Sequence, residues 1–244
     1  MELISTIFNE ALARPLFNAL VWVYNIMPGH DLGIAIIAVT VLLRIILYPL
    51  SGKALRSQKI LQELQPKIKE LQKKHENKEE QARVMMEFYK EHKINPLSGC
   101  LPILIQLPLL IALYRVFLTG LKPHSLDKLY SFIANPGALD PMFIGVVNLS
   151  EPSHFLAILA GASQFLQAKT AFQQKKDAPK SAVPDFSASM SKSMIYMMPL
   201  FMVFIAWNLP AGLSLYWVVT MLFSLGQQVI VNRKTYAGNN KHNK

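Results

Sequence analysis

Cysteine is almost absent from this 244-residue chain: Cys100 stands alone, so no intramolecular disulfide can staple the fold. Charge is scarce too. Charged residues make up 16% of the chain against 52% hydrophobic ones, and 15 acidic residues face 25 lysines and arginines, leaving a net charge of +10. That combination is foreign to a water-soluble globule and natural for a membrane protein. Also missing are a glycine-rich phosphate loop, a cluster of metal-ligating residues and a nucleophile paired with a base, so no enzyme, metal or cofactor is expected. The opening residues, MELISTIF, lack the cationic start and small-residue cleavage site of a secretory signal peptide, and the segment is expected to be retained. No inverted repeat of the kind found in many transporters is visible.

What the chain has in quantity is long apolar runs. Residues 31–50, 96–120, 153–169, 194–208 and 209–231, the last including an outer turn at NLPAG, are apolar enough for five membrane spans. The third and fourth are short: at ~1.5 Å per residue they fall below a typical ~30 Å hydrocarbon core unless the bilayer thins around them. Eleven cations lie between the first two spans, from Lys53 to Lys93, five run from Lys169 at the end of the third span to Lys192 before the fourth, and Arg233, Lys234, Lys241 and Lys244 lie in the tail. The opposite side carries only Arg14, Lys122 and Lys128 outside the spans. Positive-inside asymmetry therefore puts the N-terminus outside and the C-terminus in the cytosol. The basic loops are accounted for by topology, with acidic lipid or ribosomal RNA as secondary targets and nothing that calls for DNA.

The fold class expected is an all-α integral membrane protein. Its five transmembrane helices form a hydrophilic groove open to the cytosol, with a cytosolic helical hairpin and an N-terminal interfacial helix attached. Residues 1–30 form the outer amphipathic segment, with Ile4, Ile7, Phe8, Ala11 and Leu12 on one helical face and Pro15 interrupting it. Residues 51–95 form the hairpin, with Leu61, Leu64, Ile68 and Leu71 on the first arm and Ala82, Met85 and Tyr89 on the second. Pro66 is expected to kink or split the first arm. Residues 121–152 form an outer connection along the interface, 170–193 a cytosolic linker and 232–244 a basic cytosolic tail.

Polar residues inside the spans carry the functional signal. Arg44 sits within IAVTVLLRIILYPL, where a central arginine costs roughly 2.5 to 3.5 kcal/mol on insertion scales. Two readings are open for it: a functional charge, or a snorkelling side chain whose guanidinium reaches the headgroups about 10 Å away. Gln106 falls near mid-membrane in the second span, and Ser163, Gln164 and Gln167 share a face of the third. Trp217, Thr220, Ser224 and Gln227 recur at three- and four-residue spacing on the fifth. Each alone is explained by an interhelical hydrogen bond averaging ~0.6 kcal/mol. Together, concentrated in the central and cytosolic parts of their helices, they imply a one-sided hydrophilic groove that admits water from the cytosol. Met190, Met194, Met197, Met198 and Met202 follow a helical spacing on the fourth span and its approach, as core packing or as an adaptable contact surface.

Several stretches carry a family likeness: RIILYPLS from Arg44, LQPKI at Leu64–Ile68, INPLSGCLPILIQLPLLIALY from Ile94 to Tyr114, FLQ at Phe165–Gln167 and MPLFMVFIAWNLPAGLSLYWVV from Met198 to Val219. On these the chain resembles the YidC/Oxa membrane protein insertases, over roughly residues 15–233, and looks like the short bacterial form without the large periplasmic domain. Its cationic tail is short for a ribosome tether, and a lipoprotein-type signal is absent. The resemblance implies a multi-pass protein of the bacterial cytoplasmic membrane that inserts nascent membrane proteins, and helps them fold, without nucleotide hydrolysis. Membrane lipids, the Sec translocon and the ribosome are its implied partners. Arg44, Gln106, Gln164, Gln167, Trp217, Thr220 and Ser224 would then form the substrate groove, and Met194, Met197, Met198 and Met202 would meet the incoming helix. The alternative from the residues is a small-solute transporter or channel, which predicts an outward path or alternating access.

Overall fold

A computed structural model describes residues 2–74, 77–91, 101–119, 123–171 and 186–242. Cys100 and most of the 170–193 linker lie outside these residues.

The N-terminal segment is helical throughout, as α1 (Glu2–Phe8), a π-helical turn (Asn9–Ala13) and α2 (Arg14–Ile26). Pro15 does not interrupt it, contrary to the sequence expectation. The wide turn lets the Arg14 amide bond to the carbonyl of Asn9, five residues back, which relieves the crowding a proline imposes on the preceding turn. The segment also packs against the rest of the bundle. Ile7 is exposed, whereas Leu16, Phe17, Leu20, Val21, Val23 and Tyr24 are buried in the main core.

That core joins α2 to α3 (Leu32–Ile46), α6 (Leu101–Thr119) and the start of α9 (Ala211–His242). Asp31 caps α3 by accepting from the Ile34 amide at 2.9 Å. The helix stops at Leu47, and α4 (Tyr48–Lys74) leaves at 65°. Residues 31–50 are therefore not one straight span, because Pro49 would press its ring on the carbonyl four residues back if the helix continued. In α4, by contrast, the helix runs through Pro66 without a break. It is followed by α5 (Lys78–Glu91), whose first turn is capped by Asn77. Ile68, on the first arm, is buried.

The second group is α7 (His154–Ala171), α8 (Phe186–Ala206) and α9. The helix that carries the fourth apolar stretch begins at Phe186, eight residues before the 194 expected for the span, and α9 continues through the expected tail to His242. Ala157, Ala160, Met202, Ala206 and Val218 form a small core between these helices. Gly161 permits the contact: a Cβ there would overlap the Val203 side chain and sit 3.2 Å from the Pro199 carbonyl oxygen.

Among the described residues, Ala211–Val231 alone is long and apolar enough to cross a membrane unaided. Leu32–Ile46 reaches that length only when joined across the bend to Tyr48–Leu61, and Gln106–Leu118 and Ile195–Ala206 are shorter apolar stretches.

The outer connection is fastened to α2 and to the NLPAG turn. Asn18, 1% exposed, accepts from the Tyr130 amide at 2.6 Å and donates to the carbonyls of Arg14 and Lys128. Arg14 pairs with Glu10 at 2.8 Å, a hydrogen bond that raises its already high pKa. The Ala211 and Gly212 amides donate to the Glu151 and Leu149 carbonyls at 2.8 and 3.0 Å.

Gly161→Val is expected to force α7 from α8 and to destabilise the protein by about 1–3 kcal/mol, the usual cost of overpacking. Thermal unfolding in detergent measures this, with Gly226→Ala, where a Cβ meets nothing within 4 Å, as the control that stays near wild type.

Candidate functional site

Three polar contacts converge on α9, and each reaches a different helix. On α3, Arg44 is half-buried and donates from Nη2 to the Gln106 side-chain oxygen of α6 at 2.6 Å. The amide nitrogen of Gln106 in turn donates to the Tyr216 hydroxyl on α9. Tyr216 is fully buried, so its phenol can hold the Gln106 amide in the orientation that offers oxygen to Arg44. Among the described residues Arg44 forms no ion pair, in contrast to Arg14, which pairs with Glu10. A guanidinium has five N–H donors, and the Gln106 bond satisfies one of them.

The second contact lies between α7 and α9, where the Trp217 indole donates to the Gln164 side-chain oxygen at 2.8 Å. Gln167, one turn further along α7, is half-buried. Consecutive residues of a helix point ~100° apart, so Tyr216 and Trp217 divide the polar residues into two groups on different sides of α9. Among the described residues Gln164 and Trp217 bond to each other and not to Arg44.

The third contact ties the root of the hairpin to the same helix. Gln227, 3% exposed, donates to the Tyr48 carbonyl at 3.0 Å and accepts from the Ser51 hydroxyl at 3.0 Å. Between these contacts Thr220 is fully enclosed, and Ser224 spends its hydroxyl on the Thr220 carbonyl at 2.8 Å. Thr220 is thus enclosed in the packing of α9, whereas Ser224 is half-buried.

The methionines of α8 are likewise split. Met197 and Met198 are exposed beside Tyr196, Leu200, Phe201 and Phe204, whereas Met202 is buried at 8% exposure in the small core. The Met194 side chain lies outside those described. Met202 also borders an apolar cavity of about 70 Å³ with Leu110, Ile205, Ala206, Leu209, Leu213, Ser214 and Trp217. Among the described residues no group of three His, Cys, Asp or Glu could hold a metal ion.

Tyr216, Ser51 and Tyr48 were not among the residues singled out from sequence. An aromatic hydroxyl in an apolar run reads as core, and a backbone carbonyl has no signature. For Ser51 the available signal was its place one residue beyond the first apolar run.

Half-buried polar side chains joining the helices of a predominantly apolar bundle define this as an all-α integral membrane protein with a polar interior site. Residues 22–239 match the family described as 60Kd inner membrane protein. The chain is 36% identical over 205 residues to the membrane protein insertase YidC of Fusobacterium nucleatum, a match that covers 84% of this chain and 87% of that protein. Those from Wolinella succinogenes and Pasteurella multocida are 36% and 37% identical over 227 and 223 residues, or 93% and 91% of this chain. Here the chain spans 38% and 37% of its relatives' lengths. The fold matches a crystal structure of an active YidC insertase with a TM-score of 0.58 at 23% identity, over 89% of this chain and 45% of that one. The chain belongs to the 60Kd inner membrane protein family, that of the YidC insertases.

If Tyr216 holds Gln106, a double-mutant cycle of Tyr216→Phe and Gln106→Leu will give a coupling of about 0.6 kcal/mol and no more than ~1.7 kcal/mol, the range for hydrogen bonds between membrane helices. Reversible unfolding in mixed micelles measures it, and additive single losses would separate the two residues.

Proposed function

We propose that this protein inserts nascent membrane proteins into the bacterial cytoplasmic membrane, and helps them fold, with Arg44 drawing the polar, often acidic external segment of the substrate into the bundle. The observation that carries this reading is the half-buried Arg44, bonded to a neutral amide and without an ion pair among the described residues. A carboxylate beside Arg44 would have cancelled the charge, whereas a glutamine solvates the guanidinium and leaves its field available to an acidic visitor. Family membership supports the same activity.

In this reading α3, α6, α7, α8 and α9 cross the membrane, with the N-terminus outside and the α4–α5 hairpin and C-terminus in the cytosol, as the lysine and arginine distribution requires. The substrate enters from the cytosol. Its polar segment passes near Arg44, Gln106, Gln164, Gln167 and Trp217, while its apolar helix leaves along the Met197–Met198 face of α8 into lipid. The short helices thin the bilayer locally: α3, at 15 residues, is ~22 Å long against a ~30 Å core. Burial of the substrate's apolar surface, at about 25 cal/mol per Å², drives insertion, so no nucleotide or covalent step is needed. Lipids are the receiving phase, and the Sec translocon and ribosome are partners that deliver or share substrates.

Arg44→Ala is expected to impair insertion of substrates with acidic external segments, and Arg44→Lys to preserve it, because attraction over several ångströms needs charge more than a guanidinium fork. Gln106→Glu should mimic Arg44→Ala, since a carboxylate at that position neutralises the arginine in place. Protease protection of newly made substrate in proteoliposomes, at matched protein levels, reads all three. Equal loss in Arg44→Ala and Arg44→Lys would refute the charge role. A photoreactive group at Gln106 or Trp217 should capture the nascent chain, and capture confined to residues 123–152 would contradict cytosolic entry.

A further inference from the structure

The outer connection contains a turn that the proposed insertion path does not use. Strands β1 (Met142–Phe143) and β2 (Val147–Asn148) pair antiparallel, with Phe143 opposite Val147. The Val146 amide closes the turn onto the Phe143 carbonyl at 3.0 Å. Its two central residues, Ile144 and Gly145, both take left-handed backbone, with φ of 52° and 66°. This mirror-image turn ordinarily carries Asn-Gly, because a β-branched side chain is crowded at positive φ. The chain nevertheless places isoleucine there, 67% exposed, next to Val146 at 79%. A disfavoured backbone holding an apolar side chain out toward the surroundings is a feature to be explained by what it meets.

The turn is fastened to the first turn of α3. Asp31 accepts from the Ile34 amide with one carboxylate oxygen and from the Ile144 amide, at 2.6 Å, with the other. Behind it the Phe143 ring fills the space that a Cβ on Gly33 would need. Ile144 is thereby held beside Ile34, where the exposed apolar face of α3 begins. Ile34 and Ile45, both exposed, are eleven residues apart and so nearly aligned on the helix, with exposed Leu42 flanking them.

We propose that Ile144 and Val146 form an anchor that seats in the outer leaflet of the bilayer and, through Asp31 and Phe143, sets the depth of α3. Arg44 lies ten residues beyond Ile34, ~15 Å along the helix, so this depth also sets that of the charge. The occupant is phospholipid. The turn continues the apolar face of a membrane helix, and two side chains fall far short of the roughly 800 Å² that each partner gives to a stable protein interface. The Asp31 carboxylate nearest the turn is already engaged by two amides. The inference rests on the proposed topology, in which residues 121–152 lie outside.

The test places an environment-sensitive fluorophore on Val146→Cys in a Cys100→Ser background, reconstituted in vesicles of phosphatidylethanolamine and phosphatidylglycerol, with a second label at Leu42→Cys as reference. The expected result is blue-shifted emission at position 146, quenched by lipids spin-labelled near the headgroup and shielded from iodide on either side. Ile144→Asn, which suits the left-handed backbone, should shift that emission to the red, weaken lipid quenching at 146 and change the depth at which spin-labelled lipids quench the Leu42 probe, and an unchanged Leu42 depth would overturn the claim that the turn sets the depth of α3. Iodide quenching at 146 with lipid quenching at 42 would overturn the anchor and leave the membrane placement of α3 intact. Iodide quenching at both would overturn the two together. Shielding from iodide without lipid quenching at 146 would assign the turn to a protein contact and also overturn the proposal.

Discussion

A guanidinium in an apolar bundle must be solvated by something, and in this protein the solvating group is an amide rather than a carboxylate. Gln106 bonds to Arg44, and the buried Tyr216 holds Gln106. The choice matters because charge in a low-dielectric setting acts over a longer distance than in water, and an ion pair would have quenched that field at its source. α3, α6 and α9 are thus joined through a contact that preserves the charge. In the proposed insertion path this is the property the substrate meets.

The remaining architecture holds that contact in place from both ends. On one side Asn18 and Asp31 tie the outer connection to α2 and α3, each using more than one hydrogen bond of a single short side chain. On the other, Gln227 grips the root of α4, where the chain turns by 65°. The bend makes α3 short and lets the hairpin leave the bundle at an angle. α8 stands apart from this scaffold. It leans on α7 over Gly161 and leaves a largely apolar, exposed face that includes Met197 and Met198. A rigid polar centre beside an open apolar helix suits a substrate with one polar and one apolar part.

Much of this was legible in the residues. The 3.6-residue periodicity marked the helices, and Arg44, Gln106, Gln164 and Trp217 stood out because polar atoms are costly in apolar runs. Two pairs among them, Arg44 with Gln106 and Trp217 with Gln164, are hydrogen-bonded. Proline was the least reliable guide. Pro15 is absorbed by a π-helical turn and Pro66 by a continuous helix, while Pro49 accompanies the sharp bend. Pro15 is tolerated because the turn before it is widened, and Pro49 because it falls in the first turn of α4, whereas nothing local accounts for the unbroken helix at Pro66.

The sequence by itself determined the predominantly helical, membrane-embedded character, because long apolar runs and uneven basic charge follow from composition and order alone. Only the tertiary structure decided which polar groups meet. Tyr216 and Trp217 are adjacent in sequence yet serve different partners, since neighbouring helical side chains diverge by ~100°. Whether a hydroxyl such as that of Thr220 faces a groove or is enclosed depends on how α9 is rotated against α3 and α7. That rotation is fixed by packing among residues far apart in the chain, and no local pattern encodes it.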